Sequence, residues 1–245
     1  MNAMILAAGK GTRLYPLTET LPKPMVPVAG RPVLEHTIRW LRRHGIRSVA
    51  INLHHQGDAI RRHFGDGGKY GVSIRYSEEP ELLGTAGGVK RIEDFFEDPF
   101  AVVYGDVLTD LDLAALAAFH RARASGGPHA TLPLDRRPDA AQCGVVELAG
   151  NARVVRFVEK PRPGEIISPW VNSGIMILDH ALLAAIPADC VCDFGRDILP
   201  AWLRDGIPLY GWTLPAEAYL IDMGTPEKYA QANRDWAERT EVLPS

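Results

Sequence analysis

Apolar residues in the first half of the chain fall into short runs that alternate with stretches spaced as helices. Met4-Ile5-Leu6-Ala7-Ala8 is a compact apolar run ending at Gly9, the pattern of a strand buried on both faces. From Pro32 to Gly45, residues Val33, Leu34, Ile38 and Leu41 recur at helical spacing, and Gly45 supplies a stop. The pattern then predicts a strand over 48–52, a short helix over 57–64 and a third strand over 73–76. A helix over 87–96 follows, then a buried strand over 100–104 ending at Gly105-Asp106, then an Ala-rich helix over 113–124 capped by Asp112.

Strands alternating with helices predict an α/β fold, a Rossmann-like, mostly parallel twisted sheet with helices on both faces. Ligands of such sheets bind at the carboxyl ends of the strands, which singles out 9–13, 52–55, 77–84 and Gly105-Asp106. The second half is less regular, with strands expected over 130–134, 144–148, 154–158 and 171–178 and a helix over 196–204. No linker, repeat or low-complexity tract interrupts the chain, so one domain is expected over 1–245, with a change of character near residue 125.

The 245 residues are 46% hydrophobic and 23% charged, an ordinary globular balance, and the net charge of −3 comes without a basic stripe. Arg42-Arg43 and Arg61-Arg62-His63 sit in helical segments and read as solvated faces, which argues against a nucleic-acid partner. Three cysteines, Cys143, Cys190 and Cys192, argue against a disulfide framework and suit a reducing cytoplasm, and Cys190-x-Cys192 lacks the second pair of a zinc site. The apolar start is too short for a signal peptide or a membrane span, so a cytoplasmic protein with no membrane partner is expected.

Gly9-Lys10-Gly11-Thr12-Arg13-Leu14 follows the first strand, and its glycines let backbone N–H groups approach a phosphate. It is neither a dinucleotide fingerprint, since Leu14 stands at the third glycine position, nor a P-loop. With Leu6-Ala7-Ala8 before it and Pro16-Leu17-Thr18 and Leu21-Pro22-Lys23-Pro24-Met25 after it, the stretch resembles the signature of the sugar-phosphate nucleotidyltransferases. Later landmarks of that family follow in order: Leu83-Gly84-Thr85-Ala86-Gly87-Gly88, Gly105-Asp106, Cys143-Gly144-Val145-Val146, Val158-Glu159-Lys160-Pro161, Val171-Asn172-Ser173-Gly174 and Ile221-Asp222-Met223-Gly224-Thr225-Pro226. The match is closest to guanylyltransferases that make GDP-mannose or GDP-heptose.

The resemblance implies transfer of a nucleoside monophosphate from a nucleoside triphosphate to a sugar 1-phosphate, with pyrophosphate released. The fold implied is of the GT-A-like nucleotidyltransferase type, with a nucleotide-binding core over about 1–124 and a sugar-phosphate-binding lobe from about 125. The attacking phosphate is largely anionic at neutral pH, its second pKa being about 6, so no general base is required. Cationic charge is required instead. By resemblance, Arg13 holds the outer phosphates, Lys23 lies near the α-phosphate and Lys160 holds the sugar phosphate, while Asp106 and Asp222 hold Mg2+, a hard ion suited to one or two carboxylates. Arg13, Lys23 and Asp106 are the catalytic candidates. Leu6, Ala8, Gly9, Gly11, Thr12, Glu79, Gly84 and Thr85 join Arg13 and Lys23 around the nucleotide, and Gly144, Glu159 and Asn172 join Lys160 around the sugar.

Glu79 falls where thymidine-nucleotide relatives carry a Gln that reads the base. A carboxylate can accept N1–H and N2–H of guanine side by side, which favours GTP; UTP remains the alternative. Mannose 1-phosphate and a manno-heptose 1-phosphate are the leading sugars. Rival readings are a non-catalytic nucleotide-sugar sensor and a glycosyltransferase using Asp110-x-Asp112, though the latter leaves the loop 9–13 and Lys23 without a purpose. Asp193-Phe194-Gly195 copies a kinase triplet without its companion motifs and is expected simply to open a helix. A homodimer would be the commonest assembly for such an enzyme.

Overall fold

The structure, a computed structural model, describes residues 1–137, 140–162 and 164–240. Its strands are β1 (Ala3–Leu6), β2 (Pro27–Val28), β3 (Arg31–Pro32), β4 (Ser48–Leu53), β5 (Ser73–Glu78), β6 (Phe100–Tyr104) and β7 (Val107–Thr109) in the first half. The second half adds β8 (Ala130–Arg136), β9 (Gly144–Leu148), β10 (Val154–Glu159), β11 (Trp170–Asn172), β12 (Ile175–Leu178), β13 (Leu209–Thr213) and β14 (Leu220–Asp222). The α-helices are α1 (Val33–Arg43), α2 (Gly57–Phe64), α3 (Gly84–Lys90), α4 (Leu113–Arg121), α5 (Leu199–Arg204) and α6 (Pro226–Thr240).

One sheet of ten strands carries both halves, in the order β10-β9-β11-β8-β12-β6-β1-β4-β5 with β13 also paired to β8. The β6-β1-β4-β5 portion is wholly parallel, and β12 runs antiparallel between β6 and β8. The strand side chains alternate between two cores, as a two-residue period demands. Ile5, Val103 and Ile177 pack with α1 and α4 residues Leu34, Ile38 and Leu116 on one face; Met4, Val102 and Met176 pack with Val89, Phe194 and Trp202 on the other. Such strands are apolar on both faces, which is why they read as continuous runs rather than alternating ones.

Trp40 Nε1 donates to the Leu111 carbonyl at 2.9 Å, fixing α1 beside the segment that enters α4. The Asp112 carboxylate caps α4, accepting from the backbone N–H groups of Ala114 and Ala115. Several expected elements differ in extent, among them the helix over 113–124, which ends at Arg121. The stretch 171–178 is two strands, because the chain bends at Ser173-Gly174 and β11 pairs with β8 and β9 while β12 joins β6 and β8. The helix expected over 87–96 begins earlier and ends at Lys90. The one expected over 196–204 becomes a wide turn over Phe194–Ile198 leading into α5. A ribbon pairs β7 with β14, setting Asp222 opposite Val107. Among the described residues no helix is long and apolar enough to cross a membrane.

Candidate active site

The carboxyl ends of β1, β4, β5 and β6 open into a cavity of about 370 Å³, and the Gly-rich loop forms one of its walls. Gly11 has φ +65°, and a Cβ there would sit 2.8 Å from Lys23 Cβ, so the loop and the 22–25 turn meet through glycine alone. Buried Thr18 donates its hydroxyl to the Gly11 carbonyl at 2.8 Å, locking the turn. Lys23, between two prolines, opens a single 3-10 turn, with Met25 N–H donating to the Pro22 carbonyl and Val26 N–H to that of Lys23. Gly105 N–H donates to the Leu6 carbonyl, and Asp106 therefore leaves β6 beside Lys23, whose ammonium it binds. Leu6, Ala8, Gly9, Gly11, Thr12, Arg13, Lys23, Glu79, Gly84 and Thr85 all line this cavity.

Glu79 is 2% exposed, so it is not the solvated side chain that its position in a loop would allow. Its Oε1 accepts from Asn52 Nδ2 at 2.7 Å and its Oε2 from the Leu83 N–H at 3.1 Å, while Asn52 Oδ1 accepts from the Ala7 N–H. Glu79 thus ties the ends of β1 and β4 to the loop before α3, and it lines the cavity as a buried carboxylate. Glu78, the neighbouring acid, is the exposed one and pairs with Arg61.

The α3 entrance is clamped from the other side. Gly84 has φ +75°, and a Cβ there would lie 2.5 Å from the Cys192 carbonyl oxygen. Ala86 and Gly87 N–H groups donate to that carbonyl, and Cys192 N–H donates to the Leu83 carbonyl. Thr85 donates its hydroxyl to Asp193 Oδ1 at 3.0 Å and accepts from the Phe194 N–H at 2.8 Å. Cys190 and Cys192 are joined as a disulfide across Cα atoms 5.5 Å apart. The turn that wraps α3 brings these two cysteines side by side, a local link and not the disulfide framework that the cysteine count argues against.

A second cavity of about 920 Å³ adjoins the first, and the two share Arg13, Thr85, Tyr104, Asp106 and Asp193. Gly144, Glu159, Lys160, Asn172 and Asp222 line it. Lys160 has φ +47°, a conformation uncommon for a non-glycine residue and held here by its N–H donating to the Cys143 carbonyl. Burial, with the nearby Asp193 charge, pushes the Glu159 carboxyl above its usual range despite Lys160 beside it. Asp222 goes the other way: burial alone would raise it, but hydrogen bonds from Lys228 and Arg137 hold it below the ordinary range. Arg137 Nη1 lies 2.5 Å and Lys228 Nζ 2.8 Å from the same oxygen, Asp222 Oδ2.

The motif residues are therefore gathered around one cleft, with Asp106 and Asp222 brought close by the β7–β14 ribbon and by Met223 N–H donating to the Asp106 carbonyl. Two carboxylates facing a cleft lined by cations form a hard-oxygen donor set that fits magnesium. His120, His129 and Asp179 make a separate cluster that lines neither cavity, and the two imidazole rings stack on each other with Asp179 bridging them. Asn52 lies in the ligand-edge segment 52–55 singled out from the sequence, whereas Arg137, Asp193, Arg196 and Lys228, which also line the cleft, were not among the expected site residues. Of these only Asp193 and Arg196 carried a signal, Asp193 as the first residue of the Asp193-Phe194-Gly195 triplet and Arg196 as the residue that follows it.

Two adjoining cavities share Arg13, Thr85, Tyr104, Asp106 and Asp193, and the chain belongs to the nucleotidyl transferase family, whose model matches residues 2–239. Its relatives are sugar-phosphate nucleotidyltransferases. It is 38% identical to a UTP–glucose-1-phosphate uridylyltransferase of Synechocystis over 96% of this chain and 63% of that protein. It is 35% identical to a mannose-1-phosphate guanylyltransferase of Mycobacterium tuberculosis over 96% of this chain and 64% of that protein. The chain thus spans just under two thirds of the length of these curated relatives. The structure of HddC from Yersinia pseudotuberculosis complexed with GMP-PN matches it with a TM-score of 0.78 at 27% identity, covering 96% of this chain and 99% of that one.

Proposed function

We propose that this chain transfers a nucleoside monophosphate from a nucleoside triphosphate to a sugar 1-phosphate and releases pyrophosphate. The observation that carries this reading is the shared wall: Arg13 and Asp106 border both cavities, so a triphosphate in the smaller and a sugar phosphate in the larger meet at them. Arg13 and Lys23 neutralise the triphosphate, and Lys23 is held toward the reacting phosphorus by Asp106. Lys160 neutralises the incoming phosphate, and Glu159 and Asn172 accept or donate hydrogen bonds at sugar hydroxyls. Asp106 and Asp222 would hold Mg2+, which supplies Lewis-acid stabilisation of charge on the transferred phosphate.

GTP is the first choice of nucleotide, because the buried Glu79 carboxylate favours guanine N–H groups and repels the carbonyl oxygens that flank N3–H in uracil. The solved structure complexed with GMP-PN supports it; mannose 1-phosphate is the acceptor named for the Mycobacterium tuberculosis relative, and a manno-heptose 1-phosphate is the other that the sequence resemblance implies. UTP with glucose 1-phosphate is the second reading, supported by the 38% identical Synechocystis protein. The test is pyrophosphate release with magnesium over a grid of five nucleoside triphosphates and a panel of sugar 1-phosphates. A signal with GTP and a manno-configured acceptor is expected. A signal with UTP and glucose 1-phosphate selects the second reading, and silence across the grid with triphosphate binding intact refutes transferase activity.

A further inference from the structure

Arg137 and Lys228 come from distant places in the sequence, one after β8 and the other on the first turn of α6, yet both reach Asp222 Oδ2. Their side chains are only 13% and 21% exposed, so two long cations are held largely out of water at one point of the cleft wall. Both line the larger cavity, and neither lines the smaller. Gly224 lies between this point and the triphosphate side: a Cβ on it would stand 2.9 Å from Asp222 Oδ1 and 3.4 Å from the Arg13 guanidinium. Asp222 therefore keeps one oxygen on the side of Gly224 and Arg13 and gives the other to the two cations.

A planar guanidinium and an ammonium converging on one anionic oxygen suit a phosphate, whose three oxygens can satisfy a fork and a point charge together. The carboxylate oxygen already sits where such an oxygen would. Because the pair faces only the larger cavity, the anion it fits is the acceptor's phosphate and not the triphosphate or the leaving pyrophosphate.

We propose that Arg137 and Lys228 seat the phosphate group of the sugar 1-phosphate, and that Asp222 keeps the two side chains converged until that anion replaces its Oδ2. This rests on the transferase reading above and adds to Lys160 two positioning residues that no motif marks. The seat also separates the tasks of Asp222, since an oxygen released by the cations is available as a metal ligand.

The test uses the full chain and its Arg137→Gln, Lys228→Gln and Lys228→Arg variants. Steady-state kinetics give KM for the best sugar 1-phosphate and triphosphate of the grid. Calorimetry measures sugar 1-phosphate binding with a non-hydrolysable triphosphate analogue present, at two salt concentrations. Each Gln variant should raise both the KM and the Kd for the sugar 1-phosphate by about tenfold or more, as loss of a charge-assisted contact implies. Triphosphate Kd should stay within about twofold, Lys228→Arg should restore most of the affinity, and the salt dependence should flatten in the Gln variants. Unchanged sugar-phosphate affinity with altered thermal stability would show that the pair only neutralises Asp222, and loss of triphosphate or pyrophosphate affinity instead would place the seat wrongly. Either result overturns the inference while leaving the transferase reading standing. A wild-type chain that binds triphosphate but no sugar 1-phosphate overturns both.

Discussion

Gly195→Ala isolates the sugar side of the cleft with a single methyl group. A Cβ at residue 195 would lie 2.5 Å from Glu159 Oε2 and 3.0 Å from its Cδ, closer than real Cβ atoms approach. The clash falls on the end of a flexible side chain, so the backbone can stay where it is and the carboxylate must move by half an ångström or more. Glu159 must therefore shift within the cavity, away from the position in which it would meet the sugar hydroxyls. A lost hydrogen bond to a charged group costs about 1.5–3 kcal/mol, which is roughly a 10- to 150-fold fall in kcat/KM for the sugar 1-phosphate. Stability should barely change, because Ala in a helical turn recovers about 0.5–1 kcal/mol over Gly, and Tm should stay within about 3 °C. Pyrophosphate-release kinetics with each substrate varied in turn, beside a thermal melt, decide the matter. An unchanged kcat/KM for the sugar with an intact Tm would mean that Glu159 does not contact the acceptor, and a collapsed Tm would mean that the wide turn is not free to take a side chain.

Gly84→Ala is the contrasting case, since its methyl would meet the Cys192 backbone at a positive φ and nothing flexible can yield; a loss of about 2–4 kcal/mol is expected, read as a Tm drop of roughly 5–15 °C. Lys23→Met should lower kcat by about 10²- to 10³-fold, as removal of a preorganised charge does, with single-turnover rates as the measure; a loss under tenfold would exclude Lys23 from the reacting phosphate. Glu79→Gln would set an amide NH2 against either the Asn52 amide or the Leu83 N–H, costing about 1–3 kcal/mol in a denaturant melt and weakening GTP more than UTP. Glu159→Gln should be the more stable protein at neutral pH: a carboxyl raised by burial disfavours the folded state once ionised, so wild type loses stability as pH rises from the ordinary carboxylate range through its raised pKa. Melts across that window should show the variant's advantage growing with pH and then levelling, and an advantage that shrinks would reverse the assignment.

Strand and helix order in the first half was legible because strands buried on both faces leave unbroken apolar runs, and because glycine and proline mark where those runs stop. The residues at the strand ends, Gly9 to Arg13, Glu79 and Asp106, could be placed at the ligand edge for the same reason. The short ribbon strands β7 and β14 were not legible, for each is three residues long and finds its partner more than a hundred residues away. That ribbon carries Asp222 to the cleft, where it meets Arg137 and Lys228, which no local pattern distinguishes from surface cations. Burial of Glu79 was equally hidden, since a carboxylate becomes a structural tie only when an Asn from another strand and a backbone N–H from another loop reach it. The wide turn at Phe194–Ile198 was read as a plain helix start because the sequence shows its residues but not the Glu159 carboxylate that lies over Gly195 where a side chain would stand.

Strand β12, which comes from the second half of the chain, is hydrogen-bonded along the whole of β6 from the first. Cutting the chain near residue 125 would strip β6 of that neighbour and expose an apolar edge, Phe100–Tyr104, able to recruit any extended chain nearby. Each half made alone should therefore collect in inclusion bodies, and co-expression of the two should recover soluble material. The same stitching mounts both cavities on one frame: β1 and β6, which border the smaller, and β9 and β11, which border the larger, belong to a single hydrogen-bonded sheet.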